Sequence, residues 1–331
     1  MSTSLLLAPP TNTSPTSTLA LSQLAPTYYK SQSGWSLPYP LSLFLNNESQ
    51  EKWQSYENIL LSCLRTGDTE SAYLYLEELT DRFGPTNERV AALRGLYAEA
   101  TAKTQEEVDN VMRHYEEILK EDPTSFAIRK RRCALLRSQG KTADAIQALT
   151  NLLDTSPTDA EAWAELGDLY AEQALYEQAV FCLEEVLLVM PNAWNVHAKV
   201  GEVLLLQARG NSAAVEQLRT LSDSMRRFCR SVELCDDYLR GYYGLKLTTT
   251  RLLEALSSTK KSHTAASDPV TGELAPPTIE AVTKLNEVAT AKLAEIVRKG
   301  TAGEKGWDGY NASELAAARE LLDQDTQKIQ R

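Results

Sequence analysis

The chain has 331 residues, of which 43% are hydrophobic and 24% charged, and a formal net charge of −11. A chain of this size can bury a sizeable core, and its acidity argues against nucleic acid as the main partner, because phosphate binding needs a positive field. The five cysteines (Cys63, Cys133, Cys182, Cys229, Cys235) are odd in number and form no CxxC pair, which suits reduced thiols better than a disulfide framework, and no apolar run approaches the roughly 20 residues that cross a bilayer.

Residues 1–45 are rich in Ser, Thr and Pro, with Lys30 as the one charged side chain. Such a stretch buries too little apolar surface to offset its ordering entropy, so it is expected to be largely disordered. Its three opening leucines lack a basic flank and are too short for a signal peptide. Within it, SGWSLPYPLSLFL (33–45) carries Trp35, Tyr39, Leu41, Leu43 and Phe44, which suit docking on a surface. From about Gln50 to Leu256 apolar residues recur with helical spacing, at i, i+3, i+4 and i+7. Residues 257–278 read as a flexible insertion. Two further helices follow in 279–331, the first stopping at Gly300 and the second capped by Ser313. No segment reads as a strand.

A period runs through the helical region. Pro123, Pro157 and Pro191 are spaced 34 apart, as are Ala145 and Ala179. Paired helices at this period are the tetratricopeptide (TPR) signature. Residues 160–193 match it best, through Trp163, Leu166, Gly167, Tyr170, Ala179, Leu183 and Pro191. Gly167 and Ala179 are small enough for two helices to approach closely, Leu183 fills the space between them, and Trp163 is expected to be buried there. Proline ends the second helix because it lacks a backbone donor. In 126–159 the second helix keeps Ala145, Leu149, Leu152 and Pro157, while the first carries Arg132, Cys133 and Leu136 at the signature points. The unit over 82–125 is stretched by about four residues, and further units start near Trp53 and Trp194. A generic helical bundle would not repeat so many signature points. The expected fold is all-α, a TPR superhelix of about five helical hairpins over 50–256, with the C-terminal helices packing on or extending it.

Several segments together resemble one family, subunit 2 of the endoplasmic reticulum (ER) membrane protein complex. They are LYLEELTDRFG (74–84), YEEILKEDPTSFAIRKRRCALLRSQGKTADAIQAL (115–149), EAWAELGDLYAEQALYEQAVFCLEEVLLVMPN (161–192) and RRFCRSVELCDDYLRGYYGL (226–245). The resemblance covers about residues 55–250. It implies a non-catalytic scaffold, peripheral on the cytosolic face of the ER membrane. Such a subunit holds cytosolic segments of membrane-spanning subunits in a complex that inserts transmembrane segments, tail anchors included.

A different class, the TPR co-chaperone that grips a chaperone's C-terminal carboxylate, needs Asn at the ninth position of a repeat. Leu61, Ala134, Asp168 and Glu202 stand there, and Lys130 alone matches at position five. Enzyme chemistry has little support. His114, His197 and His263 are far apart, and no nucleophile constellation, phosphate loop or metal-ligand spacing is present. No cofactor, metal or nucleic acid is expected. The run Arg129-Lys130-Arg131-Arg132 goes round its helix and cannot face one way. By the repeat register, Lys130 and Arg137 face a partner groove whose next turns are lined by Glu161, Asp168, Glu172 and Glu202.

Overall fold

A computed structural model describes residues 6–7, 15–33, 49–210, 213–258, 276–307 and 309–329, with side chains to 324. The described residues form fourteen α-helices and no strand. In chain order these are α1 (Pro15–Ser33), α2 (Gln50–Thr66), α3 (Thr69–Phe83), α4 (Glu88–Thr101), α5 (Gln105–Glu121), α6 (Phe126–Ser138) and α7 (Thr142–Thr155). They continue with α8 (Ala160–Glu172), α9 (Tyr176–Val189), α10 (Trp194–Gly210), α11 (Ala214–Leu234), α12 (Leu239–Ser258), α13 (Ile279–Ala302) and α14 (Ala312–Ile329). The chain divides into two compact units, Met1–Leu152 and Leu153–Arg331.

The 34-residue period is the period of the helices. α6, α8 and α10 start at Phe126, Ala160 and Trp194, and α7 and α9 at Thr142 and Tyr176. α4 starts 38 residues before α6, which locates the expected stretch of four. Each signature proline stands two residues past a helix, after Glu121, Thr155 and Val189. Side chains that accept the free N–H groups of the first turn fix several starts. Asp68 caps α3, Asn87 caps α4, Thr104 caps α5 and Asp159 caps α8.

A packing rule explains why the pattern recurs. The eighth residue of four successive first helices is small: Gly95, Cys133, Gly167 and Gly201. A Cβ on Gly95 would lie 2.2 Å from the Tyr115 hydroxyl, and one on Gly201 2.9 Å from the Phe228 ring. A Cβ on Gly167 would lie 3.3 Å from Leu183 and 3.4 Å from the Ala179 carbonyl oxygen. The missing side chain is thus the slot for a residue of the second helix. Leu166, Ala179, Leu183, Ala145 and Leu149 are all buried.

In the first unit α1 packs on α2 and α3, α3 on α4, and α6 on α4 and α5. Its core is aromatic, with Tyr56 and Tyr75 rings edge to face at 5.0 Å. Helical order at Pro15–Ser33 differs from the disorder that composition predicts for residues 1–45. Thr18, Leu21, Ser22 and Ala25 make a buried stripe at helical spacing, in which the small Thr18, Ser22 and Ala25 let α1 lie close on its neighbours. Tyr75 Oη donates to the Ala25 carbonyl at 2.8 Å. The 34–48 segment, with its candidate docking aromatics, lies outside the described residues, as does 259–275 of the insertion.

In the second unit α8 pairs with α9, α10 with α11, and α12 with both α11 and α13; α14 packs on α13. A polar seam joins α12 to α13: buried Lys246 donates to Thr290 Oγ1 at 2.8 Å, and Asn286 donates to Thr249 Oγ1 at 2.8 Å. Both expected C-terminal signals shift. Gly300 is inside α13, packed against Leu315, and the stop is Gly303 in the left-handed region with φ 64°. Asn311, not Ser313, caps α14: its Oδ1 accepts from the Ser313 N–H at 3.1 Å.

Candidate functional site

The signature residues of α8 and α9 set up the second unit's first hairpin. Trp163, expected in the core, is only half-buried. Its ring meets the exposed Phe181 edge to face at 6.0 Å, and its Nε1 donates to the Pro157 carbonyl at 2.8 Å. Leu166 and Leu169 take the buried positions instead, while Tyr170 is half-buried.

The six candidate groove residues fall in both units. Lys130 and Arg137 are half-buried on α6, in the first. Their neighbours in the basic run have separate tasks. Arg129 donates to the Asn151 carbonyl of α7, and Arg131 pairs with Glu99 of α4, which also accepts from Tyr115 Oη. Burial pushes the Tyr115 phenol up, and its bond to Glu99 adds to the effect. Arg131 therefore helps tie α4, α5 and α6 together.

Glu161, Asp168, Glu172 and Glu202 are in the second unit. Glu161 and Glu172 are exposed, near opposite ends of α8. Asp168 and Glu202 are brought together by a residue that the register argument does not pick out. Lys199 Nζ lies 3.4 Å from Asp168 and 3.7 Å from Glu202. The acidic strip is thus interrupted by a cation, and the Lys199–Glu202 spacing of i, i+3 is a signal for it in the sequence.

Lys199 and Glu202 stand at the rim of a groove of about 470 Å³ walled by α10, α12 and α14. Leu206, Tyr243 and Leu247 make its walls apolar, and Phe228 lies behind them. Arg240 closes one side through an ion pair with Glu314 at 2.6 Å, and Tyr310 Oη donates to the Asp237 carbonyl at 2.7 Å, fixing the start of α14. An apolar trough with charges of both signs at its edge suits a peptide segment, read by pocket and by charge. Arg240 and Tyr243 lie in the 226–245 segment, late in the array, where proline and alanine spacing sets no register.

Among the described residues no group of His, Cys, Asp and Glu is placed to hold a metal ion. His114 is exposed on α5. His197 is buried, with Nε2 donating to the Pro191 carbonyl at 3.0 Å. Burial pushes the Cys63 and Cys229 thiols up to about 11, away from nucleophilic form at neutral pH.

A family model described as the EMC2 TPR-like repeat domain matches residues 79–216. The TPR repeat protein oca3 of Schizosaccharomyces pombe is 38% identical over 210 residues, covering 63% of this chain and 71% of that protein. The ER membrane protein complex subunit 2 of Xenopus tropicalis is 33% identical over 200 residues, covering 60% of this chain and 63% of its own length, which is less than two thirds. Among solved structures, the C-terminal part of a TPR repeat-containing protein from Cytophaga hutchinsonii superposes with a TM-score of 0.49 at 13% identity, covering 89% of this chain and 99% of that one.

Proposed function

The chain belongs to the EMC2 family of TPR proteins, and on that premise we propose that it is a non-catalytic scaffold subunit of an ER membrane protein complex. In this reading it sits on the cytosolic face of the ER membrane and holds cytosolic segments of membrane-spanning subunits. It thereby supports insertion of transmembrane segments, tail anchors included, while the chemistry at the bilayer belongs to other chains. The observation that carries the reading is the apolar groove between α10, α12 and α14, rimmed by Lys199, Glu202 and Arg240. Such a surface holds a segment of another chain and has no reacting group of its own. Among the described residues no helix is long and apolar enough to cross a membrane, so attachment in this reading runs through partners. Lys130 and Arg137, with Glu161, Asp168, Glu172 and Glu202, are proposed as further partner contacts.

The test is purification of the tagged chain from detergent-solubilised microsomes, followed by mass spectrometry, alongside alkaline carbonate extraction. The expected result is a set of multi-spanning proteins in equal amounts, and release of the chain by carbonate. Retention in the carbonate pellet, or a heat-shock chaperone as the dominant partner, would overturn it.

A further inference from the structure

A second cavity in the same unit, of about 450 Å³, lies where α10 ends, α11 begins and α12 ends. Leu205, Ala208 and Leu221 form its apolar side, and Arg209, Arg251 and Glu254 its charged side. Arg209 lines this cavity and the groove described above. Its place in the last turn of α10 has an ordinary reason, since a cation there offsets the helix dipole. Arg251 has no such reason, being two turns from the end of α12. Its Nη1 is shielded from solvent and meets no acceptor among the described residues, although a buried guanidinium donor is costly to leave unpaired. Burial, and then the charge of Arg209, hold the Arg251 guanidinium below the usual arginine range, with Glu254 opposing. Among the described lining residues two guanidiniums stand against one carboxylate, one positive charge in excess.

We infer that this cavity is a binding site for an acidic side chain of a peptide segment, an Asp or Glu carboxylate taken between Arg209 and Arg251 with an apolar neighbour against Leu205 and Leu221. A guanidinium matches a carboxylate with two parallel N–H donors, and Arg209 and Arg251 both line this cavity. A phosphate fits less well, because its second charge faces Glu254 and it leaves the apolar wall uncovered. The site is a property of this chain alone and stands or falls independently of membership in a membrane complex.

The experiment uses the full chain and two acetylated, amidated pentapeptides, Gly-Leu-Asp-Leu-Gly and its Asn counterpart, with inorganic phosphate as a third ligand. Calorimetric titration and melting are measured for the native chain, Arg209→Met and Arg251→Met. The Asp peptide should bind and raise the Tm, and the Asn peptide should bind at least about tenfold more weakly. Each substitution should weaken the Asp peptide at least about tenfold, while Arg251→Met without ligand melts at the native temperature or above it. Four results would overturn the site: no binding of the Asp peptide, equal binding of the Asn peptide, unchanged binding by Arg251→Met, or a lower Tm for Arg251→Met without ligand. Phosphate binding as tight as the Asp peptide would overturn the ligand class.

Discussion

Trp163 and His197 occupy the same point of successive repeats, 34 residues apart, and each ring donates a hydrogen bond to the carbonyl of the proline six residues earlier. The tie closes the turn before a first helix, so the signature Trp latches a turn here and does not fill the core. Trp163→Phe should therefore cost only the lost hydrogen bond, about 1 kcal/mol. Trp163→Ala should cost about 2 kcal/mol, below the 3–5 kcal/mol typical of a fully buried aromatic. His197→Phe should cost less than about 1 kcal/mol, because it also removes a buried Nδ1 that has no partner among the described residues. Urea denaturation of the three variants measures these. A Trp163→Phe variant as stable as the native chain would contradict the latch.

The repeat register was legible because proline spacing and small residues at one helical position are both forced by packing. Gly167 needs no alignment to be understood once Ala179 and Leu183 are placed opposite it. α1 was not legible, because its buried stripe of Thr18, Leu21, Ser22 and Ala25 has the composition of a disordered segment; the partners that order it, such as Tyr75, are 50 residues away. Of the groove's lining, Glu202 is named by repeat position, while Lys199, Arg240 and Tyr243 are not. Nothing in the basic run singles out Arg131, because its partner Glu99 is 32 residues away.

Gly140 and Ala174 also stand 34 apart, and both are in the left-handed region, with φ 70° and 59°. Gly140 tolerates this freely, whereas a Cβ makes it costly at Ala174. Ala174→Gly should thus stabilise the protein by about 0.5–1 kcal/mol, and Gly140→Ala should destabilise it by about 1 kcal/mol. Opposite shifts of the urea midpoint, at unchanged slope, are the expected outcome.

Cys63 is buried under α1, and Thr66 Oγ1 donates to Ser22 Oγ at 2.7 Å beside it. Burial raises the thiol from 9.0 to about 11, against a smaller lowering by the Ser22 hydrogen bond. A raised pKa gives stability that is complete below the unfolded value and lost as pH rises through the folded one. The Tm should therefore decline between about pH 9 and 11, and less steeply in Cys63→Ala. Removing residues 1–33 should make Cys63 reactive towards a disulfide reagent at pH 8 and lower the Tm. An unreactive Cys63 in the shortened chain would mean that α1 does not cover it.

Lys199 separates Asp168 from Glu202 at the rim of the groove. All three side chains are about half exposed, so Lys199→Glu should change stability by less than about 1 kcal/mol. It turns one cation between two carboxylates into three clustered acids, and partner capture should fall while helicity by circular dichroism is retained. Full capture by a folded Lys199→Glu would remove this rim from the partner surface.

Phe228 links the fold to the groove. Its ring lies between Gly201 of α10 and Gly244 of α12, where added Cβ atoms would sit 2.9 and 2.1 Å from it. Both distances are below any real contact, and the 2.1 Å approach is the harder one to relieve. Gly244→Ala should accordingly cost about 1–3 kcal/mol by overpacking, and Gly201→Ala less. Phe228→Leu alone should cost about 1–2 kcal/mol through the smaller side chain. The double variant Gly244→Ala with Phe228→Leu should lose less than the sum of the two, by at least about 1 kcal/mol, because the shorter side chain admits the methyl group. Because Phe228 backs the groove's apolar wall, the Gly244→Ala variant should also bind partner segments more weakly, and the double variant should regain part of that loss. Additive stabilities would show that the glycines are not there to seat the ring.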